Sequence, residues 1–334
     1  MIKKINAAII GMGVGQRHLD AIDKYKGSTV KIICEKNQKK ILELKKKYPN
    51  KKIITDASEI FSDRSINLVS IASYDDTHYK YVLRSIEANK NIIVEKPLCL
   101  TLNQLKNIYK KLKKNPKVKI TSNLVLRVND LFLKIKNLIN KKRIFYIEAD
   151  YLWGRKYKLF EWRSKLKNYS ITLGAGIHMI DLAMWLLNEK PISVMTYGTH
   201  KDTLNTKFKK HSLTIYILKF PNNIIVKISA NAAGAFEHHH ELKLFERNKT
   251  FVNSLGGSYI FKTKNDKTSK KKLISNYPDK KNRKLLIRNF VDHLLNPKKK
   301  CLISLKEQIN LMSVCFYAEK SLKTGKELKI KYLK

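Results

Sequence analysis

The strongest constraint on the fold is the order of apolar runs and amphipathic stretches over residues 4–121. Residues 4–10 (KINAAII), 29–34 (TVKIIC), 67–72 (NLVSIA) and 91–94 (NIIV) are short apolar runs, and 52–55 and 117–121 add two weaker ones. Between them, residues 16–26, 37–48, 57–61, 76–89 and 101–114 read as helices. Strands alternating with helices build a doubly wound parallel sheet. Continuous rather than alternating apolar strands suit such a sheet, because helices cover both of its faces.

After residue 123 the pattern changes. A helix is expected at 128–141, a strand at 143–153 and a helix at 174–188. Strand-like runs then follow one another at 191–199, 211–220, 223–234 and 237–247. Strands in direct succession predict an α+β domain with a large, mostly antiparallel open sheet. Residues 262–283 are polar and lysine-rich and read as loop; helices at 284–295 and 304–323 and a short strand at 327–332 end the chain. One domain cut is expected, between 122 and 123.

Charge raises a different possibility. The 334 residues include 69 Lys or Arg and 27 Asp or Glu, a formal net charge of +42. An excess of this size invites a nucleic-acid reading. Only ten of the basic residues are Arg, however, and base readers and phosphate clamps favour the planar Arg fork. The lysines are scattered in short runs such as 45–47, 110–114, 270–272 and 298–300, as in a solvated coat. No nucleic-acid partner is expected, though a preference for anionic ligands stays open. No window approaches 18 uncharged apolar residues, so no membrane span is expected. Cys34, Cys99, Cys301 and Cys315 form no CxxC pair and read as reduced thiols of a cytoplasmic protein. His238-His239-His240 lies in a strand pattern, where at most two of the three share a face. Two ligands are too few for a metal site, and none is expected.

Chemistry is concentrated at a few positions. The first strand runs into Gly11-Met12-Gly13-Val14-Gly15, a GxGxG spacing one residue short of GxGxxG. Glycines here would make a tight turn, admit a pyrophosphate to the backbone and let the next helix pack closely. Its N-terminus would then face the phosphates. Glu35, 20 residues beyond Gly15, ends the second strand. A carboxylate there accepts from ribose hydroxyls and repels a 2′-phosphate, which favours NAD; Lys36 beside it could meet such a phosphate, so NADP stays open. Glu95-Lys96-Pro97 directly follows the strand at 91–94. The carboxyl ends of strands are where such sheets bind ligands.

With the segments SYDDTHYKYVLRSIEANKNIIVEKPL (73–98) and GAGIHMIDLAMWLL (174–187), these motifs resemble the Gfo/Idh/MocA oxidoreductase family along the whole chain. The resemblance implies a dinucleotide-binding Rossmann domain over 1–122. It implies a substrate-binding and oligomerisation domain over 123–334, with homo-oligomer contacts through the C-terminal sheet. The implied activity is hydride transfer between NAD (or NADP) and a hydroxyl or carbonyl of a sugar, sugar derivative, nucleotide sugar or cyclitol. Lys96 matches the family lysine that hydrogen-bonds the reacting oxygen. His178 matches the histidine that takes the hydroxyl proton, and Asp181 an acidic residue of the sugar pocket. Ser73, Tyr74 and His78 match a loop that covers the cofactor, and Glu95 flanks the lysine.

One departure stands out. Where family members commonly carry Asp four residues before the histidine, this chain has Gly174. Asp181, at i+3 from His178 on a helix, shares its face and is expected to orient it instead. The alternative is a protein that binds NAD(P) without turnover, as a sensor or partner subunit. Arg127, Trp153 and Arg163, with Arg155 and Trp162 nearby, are expected to meet a polyhydroxylated or anionic substrate. His18 is expected to pack structurally.

Overall fold

A computed structural model describes residues 3–333. Two compact units result: the described residues up to Leu124 with Lys281–Ile309, and Val125–Lys280 with those from Asn310 onward. In the first unit the chain runs β1 (Ile5–Ile10), α1 (Gly15–Asp23), β2 (Ser28–Cys34), α2 (Gln38–Lys47), β3 (Lys52–Ile54) and α3 (Ser58–Ser62). It continues through β4 (Leu68–Ile71), α4 (His78–Glu87), β5 (Asn91–Val94), α5 (Leu102–Lys114) and β6 (Ile120–Ser122). Side-chain caps start two of these helices: Asn37 accepts from the Lys40 N–H and Thr101 from the Gln104 N–H. The six strands are parallel in the order β3-β2-β1-β4-β5-β6. Strand order reverses between β1 and β4, the switch point where a doubly wound sheet opens a crevice at its carboxyl edge.

The second unit holds α6 (Asp130–Leu138), β7 (Ile144–Leu152), α7 (Trp162–Lys165) and α8 (Ile177–Leu187), the last entered through a π-helical turn at Thr172–Gly176. Then come β8 (Ser193–Thr199), β9 (Leu213–Lys219), β10 (Ile225–Asn231), β11 (His239–Glu246), β12 (Lys249–Ser254), β13 (Gly257–Lys264) and β14 (Lys267–Lys272). The chain ends with α9 (Arg283–Leu295), α10 (Leu305–Thr324) and β15 (Leu328–Lys329). Nine strands form one sheet in the order β14-β13-β12-β11-β7-β10-β9-β8-β15. Only β7 and β10 pair in parallel; the other neighbours are antiparallel.

Two details differ from the sequence reading. The stretch 262–283 is not all loop, because β13 and β14 make a hairpin over Asn265-Asp266. Both turn residues have positive φ (48° and 58°), as a two-residue hairpin turn of matching twist requires. The lysines that disguise β14 as loop are those expected on an exposed edge strand, where charge deters pairing with another chain. Residues 281–309 also belong to the first unit rather than following the single cut. In α9, Ile287, Phe290, Val291 and Leu294 form an apolar stripe that joins the core of Ile5, Ile9, Leu19 and Ile22. Burying each such side chain contributes roughly 1.5–3 kcal/mol, enough to fix where the helix docks. No helix of the described residues is long and apolar enough to cross a membrane.

Candidate active site

The glycine loop lies where β1 ends, beside the switch point. Gly11 has φ +88°, and a β-carbon there would sit 2.8 Å from the Ala72 carbonyl oxygen, so only glycine makes this turn. At Gly15 a β-carbon would press to 3.0 Å against Ile9, which lets α1 lie close to β1. Gly13 differs: nothing lies within 4 Å of a β-carbon position there. Neither fold nor packing explains this glycine, whereas an open backbone for a pyrophosphate does. The three glycines therefore fit a dinucleotide. Glu35 fixes the loop from β2: its Oε2 accepts the Met12 N–H at 2.9 Å, and its Oε1 accepts those of Lys36 (2.8 Å) and Asn37 (3.1 Å). Partial burial would raise its carboxyl, but those three N–H donors outweigh it and hold the group below the ordinary glutamate value. Val14 precedes α1 and is exposed.

The ends of β4, β5 and β6 are tied by a polar network. Fully buried His18, from α1, places Nδ1 2.7 Å from Ser70 Oγ, and its Nε2–H donates to Glu95 at 2.9 Å. Asn123 donates to the same Glu95 oxygen at 2.6 Å. His18 thus packs structurally, as expected, and also links the glycine-loop helix to the residue before Lys96. Burial alone would raise Glu95, yet the hydrogen bond and charge of His18, with Asn123 and Lys96, bring it down to about 2. A depressed carboxyl stabilises the fold fully above its ordinary value of 4.5 and loses that contribution as pH falls toward about 2. Glu95→Gln should therefore flatten the acid side of the stability curve. Melting temperatures at pH 7, 5, 4 and 3 check this, and an unchanged slope would count against the network.

His78 corrects an expectation. It is fully buried, with Nδ1 2.7 Å from the Pro97 carbonyl and Nε2 3.1 Å from that of Ser73. It braces the loop that follows Lys96 and does not face a ligand. Ser73 and Thr77 share a 2.6 Å hydrogen bond that shapes the same turn, and Tyr74 projects outward, exposed. Lys96 itself is half-buried at the carboxyl end of β5.

In the second unit His178 opens α8, nearly buried, its ring stacked on Tyr151 at 5.8 Å and 10°. Tyr151 also meets the edges of His238 and His240, at 5.4 and 4.9 Å. His240 accepts from or donates to Tyr277 Oη at 2.9 Å, while its backbone N–H donates to that oxygen at 2.8 Å. Sequence reading passed over Tyr151, although the period-2 burial of β7 places it with Ile147 and Ala149 on the inward face. His238 and His240 share a face as the strand period requires. Among the described residues no group of three or more His, Cys, Asp or Glu could hold a metal ion.

Asp181 and Arg127 are found in other company than expected. Arg127 Nε lies 3.2 and 3.0 Å from the two Asp181 oxygens, and Nη2 lies 2.7 Å from Oδ1. Their side chains are 3% and 2% exposed. The two side chains form a buried bidentate ion pair, in which the charges neutralise one another where water cannot. Arg163 lies 4.2, 5.2 and 6.0 Å from the rings of Trp162, Trp153 and Tyr169. With Trp153 buried, this cation–π cluster braces the segment itself. Gly174 is explained by space: a β-carbon there would lie 2.2 Å from Tyr169 Oη.

Family comparison accounts for both units. The description "Oxidoreductase family, NAD-binding Rossmann fold" matches residues 5–123, and the Gfo/Idh/MocA C-terminal domain matches 132–251. The chain belongs to the Gfo/Idh/MocA family. It is an NAD-binding oxidoreductase. Among Gfo/Idh/MocA relatives, the inositol 2-dehydrogenase of Salmonella paratyphi B is 25% identical over 241 residues, 70% of each chain. The myo-inositol 2-dehydrogenase of Lactobacillus plantarum superposes with a TM-score of 0.83 at 18% identity, over 98% of this chain and 100% of that one. The scyllo-inositol dehydrogenase of Lactobacillus casei, solved with NAD(H) and scyllo-inositol, gives 0.81 at 15% identity, over 98% and 99%. These structural likenesses establish the Gfo/Idh/MocA fold.

Proposed function

We propose that this chain is a dehydrogenase moving a hydride between NAD and a secondary hydroxyl of a cyclitol or sugar. The observation that carries the reading is the loop at Gly11–Gly15, where Gly13 leaves backbone open that only a ligand would use. Relatives named inositol 2-dehydrogenase support the substrate class. Bound NAD supplies the hydride acceptor; the chain must hold the substrate and move a proton. Lys96 donates a hydrogen bond to the reacting oxygen. As hydride leaves the carbon, that oxygen gives its proton to His178 and becomes a carbonyl. His178 Nδ1 is buried, which leaves Nε2 as the nitrogen a substrate hydroxyl reaches. Tyr151, stacked on the imidazole, fixes the ring plane, so Nε2 is aimed rather than free to rotate.

Absorbance at 340 nm with NAD and a panel of cyclitols and sugars tests the proposal. Binding of NADH without turnover on any of them would overturn the catalytic part. Gly13→Ala tests the cofactor part separately. The fold has room for the methyl group, so the melting temperature should hold while NADH affinity falls by about tenfold or more as the backbone is masked. Unchanged NADH binding would show that the pyrophosphate lies elsewhere.

A further inference from the structure

The π-helical turn at Thr172–Gly176 ends two residues before His178. A π turn closes i→i+5 rather than i→i+4 bonds and so holds about one residue more than an α turn. One residue is about 100° of helix rotation, so the direction of the imidazole depends on the turn keeping this rare form. Its support comes from β9, a strand paired on both sides, with β8 and β10. Thr214, Tyr216 and Leu218 are the inward residues of that strand. Tyr216 is fully buried, and its hydroxyl donates to Thr172 Oγ1 at 3.0 Å. With its one hydrogen used there, the 2.5 Å contact to Thr214 Oγ1 has Thr214 as the donor. Burial pushes the phenol far above its ordinary value, so it stays a donor.

The same phenol oxygen reaches the far end of the turn: a β-carbon at Gly176 would lie 2.7 Å from it. Tyr216 therefore touches the first and the last residue of the π turn, one by a hydrogen bond and the other by close packing. The Glu319 carboxyl of α10 lies against the Thr172 and Ser170 hydroxyls, and burial holds it above the ordinary glutamate value against their pull. Position 174 cannot contribute a side chain to the task, because Tyr169 Oη lies where its β-carbon would be. We propose that Tyr216 is a positioning residue for His178: its hydroxyl, held between Thr214 and Thr172, sets the π turn and thereby the direction of the imidazole. The inference rests on His178 taking the substrate proton, as proposed above. It assigns the aim of that base to a tyrosine on the sheet beneath it, 38 residues later in the chain.

Tyr216→Phe removes the hydroxyl and keeps the ring. Assayed below its melting temperature in the full chain, it should lower kcat by about tenfold or more, as a misaimed base does, with KM and NADH affinity unchanged. Thr172→Val should reproduce the loss, and Thr172→Ser, which keeps the hydroxyl, should retain wild-type kcat. In a His178→Asn background Tyr216→Phe should cost nothing further, because it acts through the imidazole alone. An equal loss in that background would overturn the proposal by showing a general effect on the fold. So would wild-type kcat in both Tyr216→Phe and Thr172→Val. The ring is also read without turnover, from histidine Cε1–H resonances, the His178 signal being the one missing in His178→Asn. Tyr216→Phe should move that signal and leave those of His18 and His78 in place; an unmoved His178 signal would overturn the proposal whatever the activity. Wild-type kcat in His178→Asn would instead overturn the proton role of His178 on which the inference rests.

Discussion

His178→Asn is expected to lower kcat by about 10²–10⁴-fold, the range a positioned general base contributes, while NADH affinity is unchanged. The glycine loop is held by Glu35 through the Met12, Lys36 and Asn37 N–H groups, none of which depends on the imidazole. Asn keeps a polar group of moderate size at the start of α8 but cannot take the hydroxyl proton at Nε2. A loss confined to KM would make His178 a binding group only, since an interaction lost equally from ground and transition states leaves kcat alone. Tyr151→Leu provides the companion result. It keeps the imidazole but removes the ring stacked on it at 5.8 Å, so kcat should fall by less, by roughly tenfold for a misplaced base. Equal losses in the two variants would mean that His178 acts through packing and not through its proton.

The two units are readable from the sequence to different depths. The parallel sheet followed from apolar runs separated by amphipathic stretches, because helices on both faces leave no polar alternation in the strands. Lys96 and His178 stand out in the sequence because short motifs surround them. Tyr151 was not, because a tyrosine in an alternating strand looks like any core residue until its neighbours on β11 are known. The hairpin of β13 and β14 was hidden by its lysines, whose exposure on an edge strand is the reason they are tolerated. Helical spacing put Asp181 on the face of His178, and that inference stopped one step short. Spacing on one helix cannot reveal that Arg127, 54 residues earlier, claims both carboxylate oxygens.

That pair carries the second large effect. Arg127→Ala should destabilise the second unit by about 3–5 kcal/mol, the usual result of leaving one buried charge without its partner. For a domain of this size that corresponds to a fall in melting temperature of roughly 6–20 °C. Asp181→Ala should cost a similar amount, now stranding the guanidinium. The decisive variant is the double replacement Arg127→Met with Asp181→Leu, which fills the space with apolar groups and leaves neither member of the pair without the other. It should recover to within about 1 kcal/mol of wild type or exceed it, because two desolvated charges regain little more than their burial costs. Its kcat then separates two roles that either single variant confuses. Recovered stability with wild-type kcat makes the pair a structural element beneath α8. Recovered stability with kcat still depressed would return Asp181 to the reaction, acting on His178 despite its hold on Arg127.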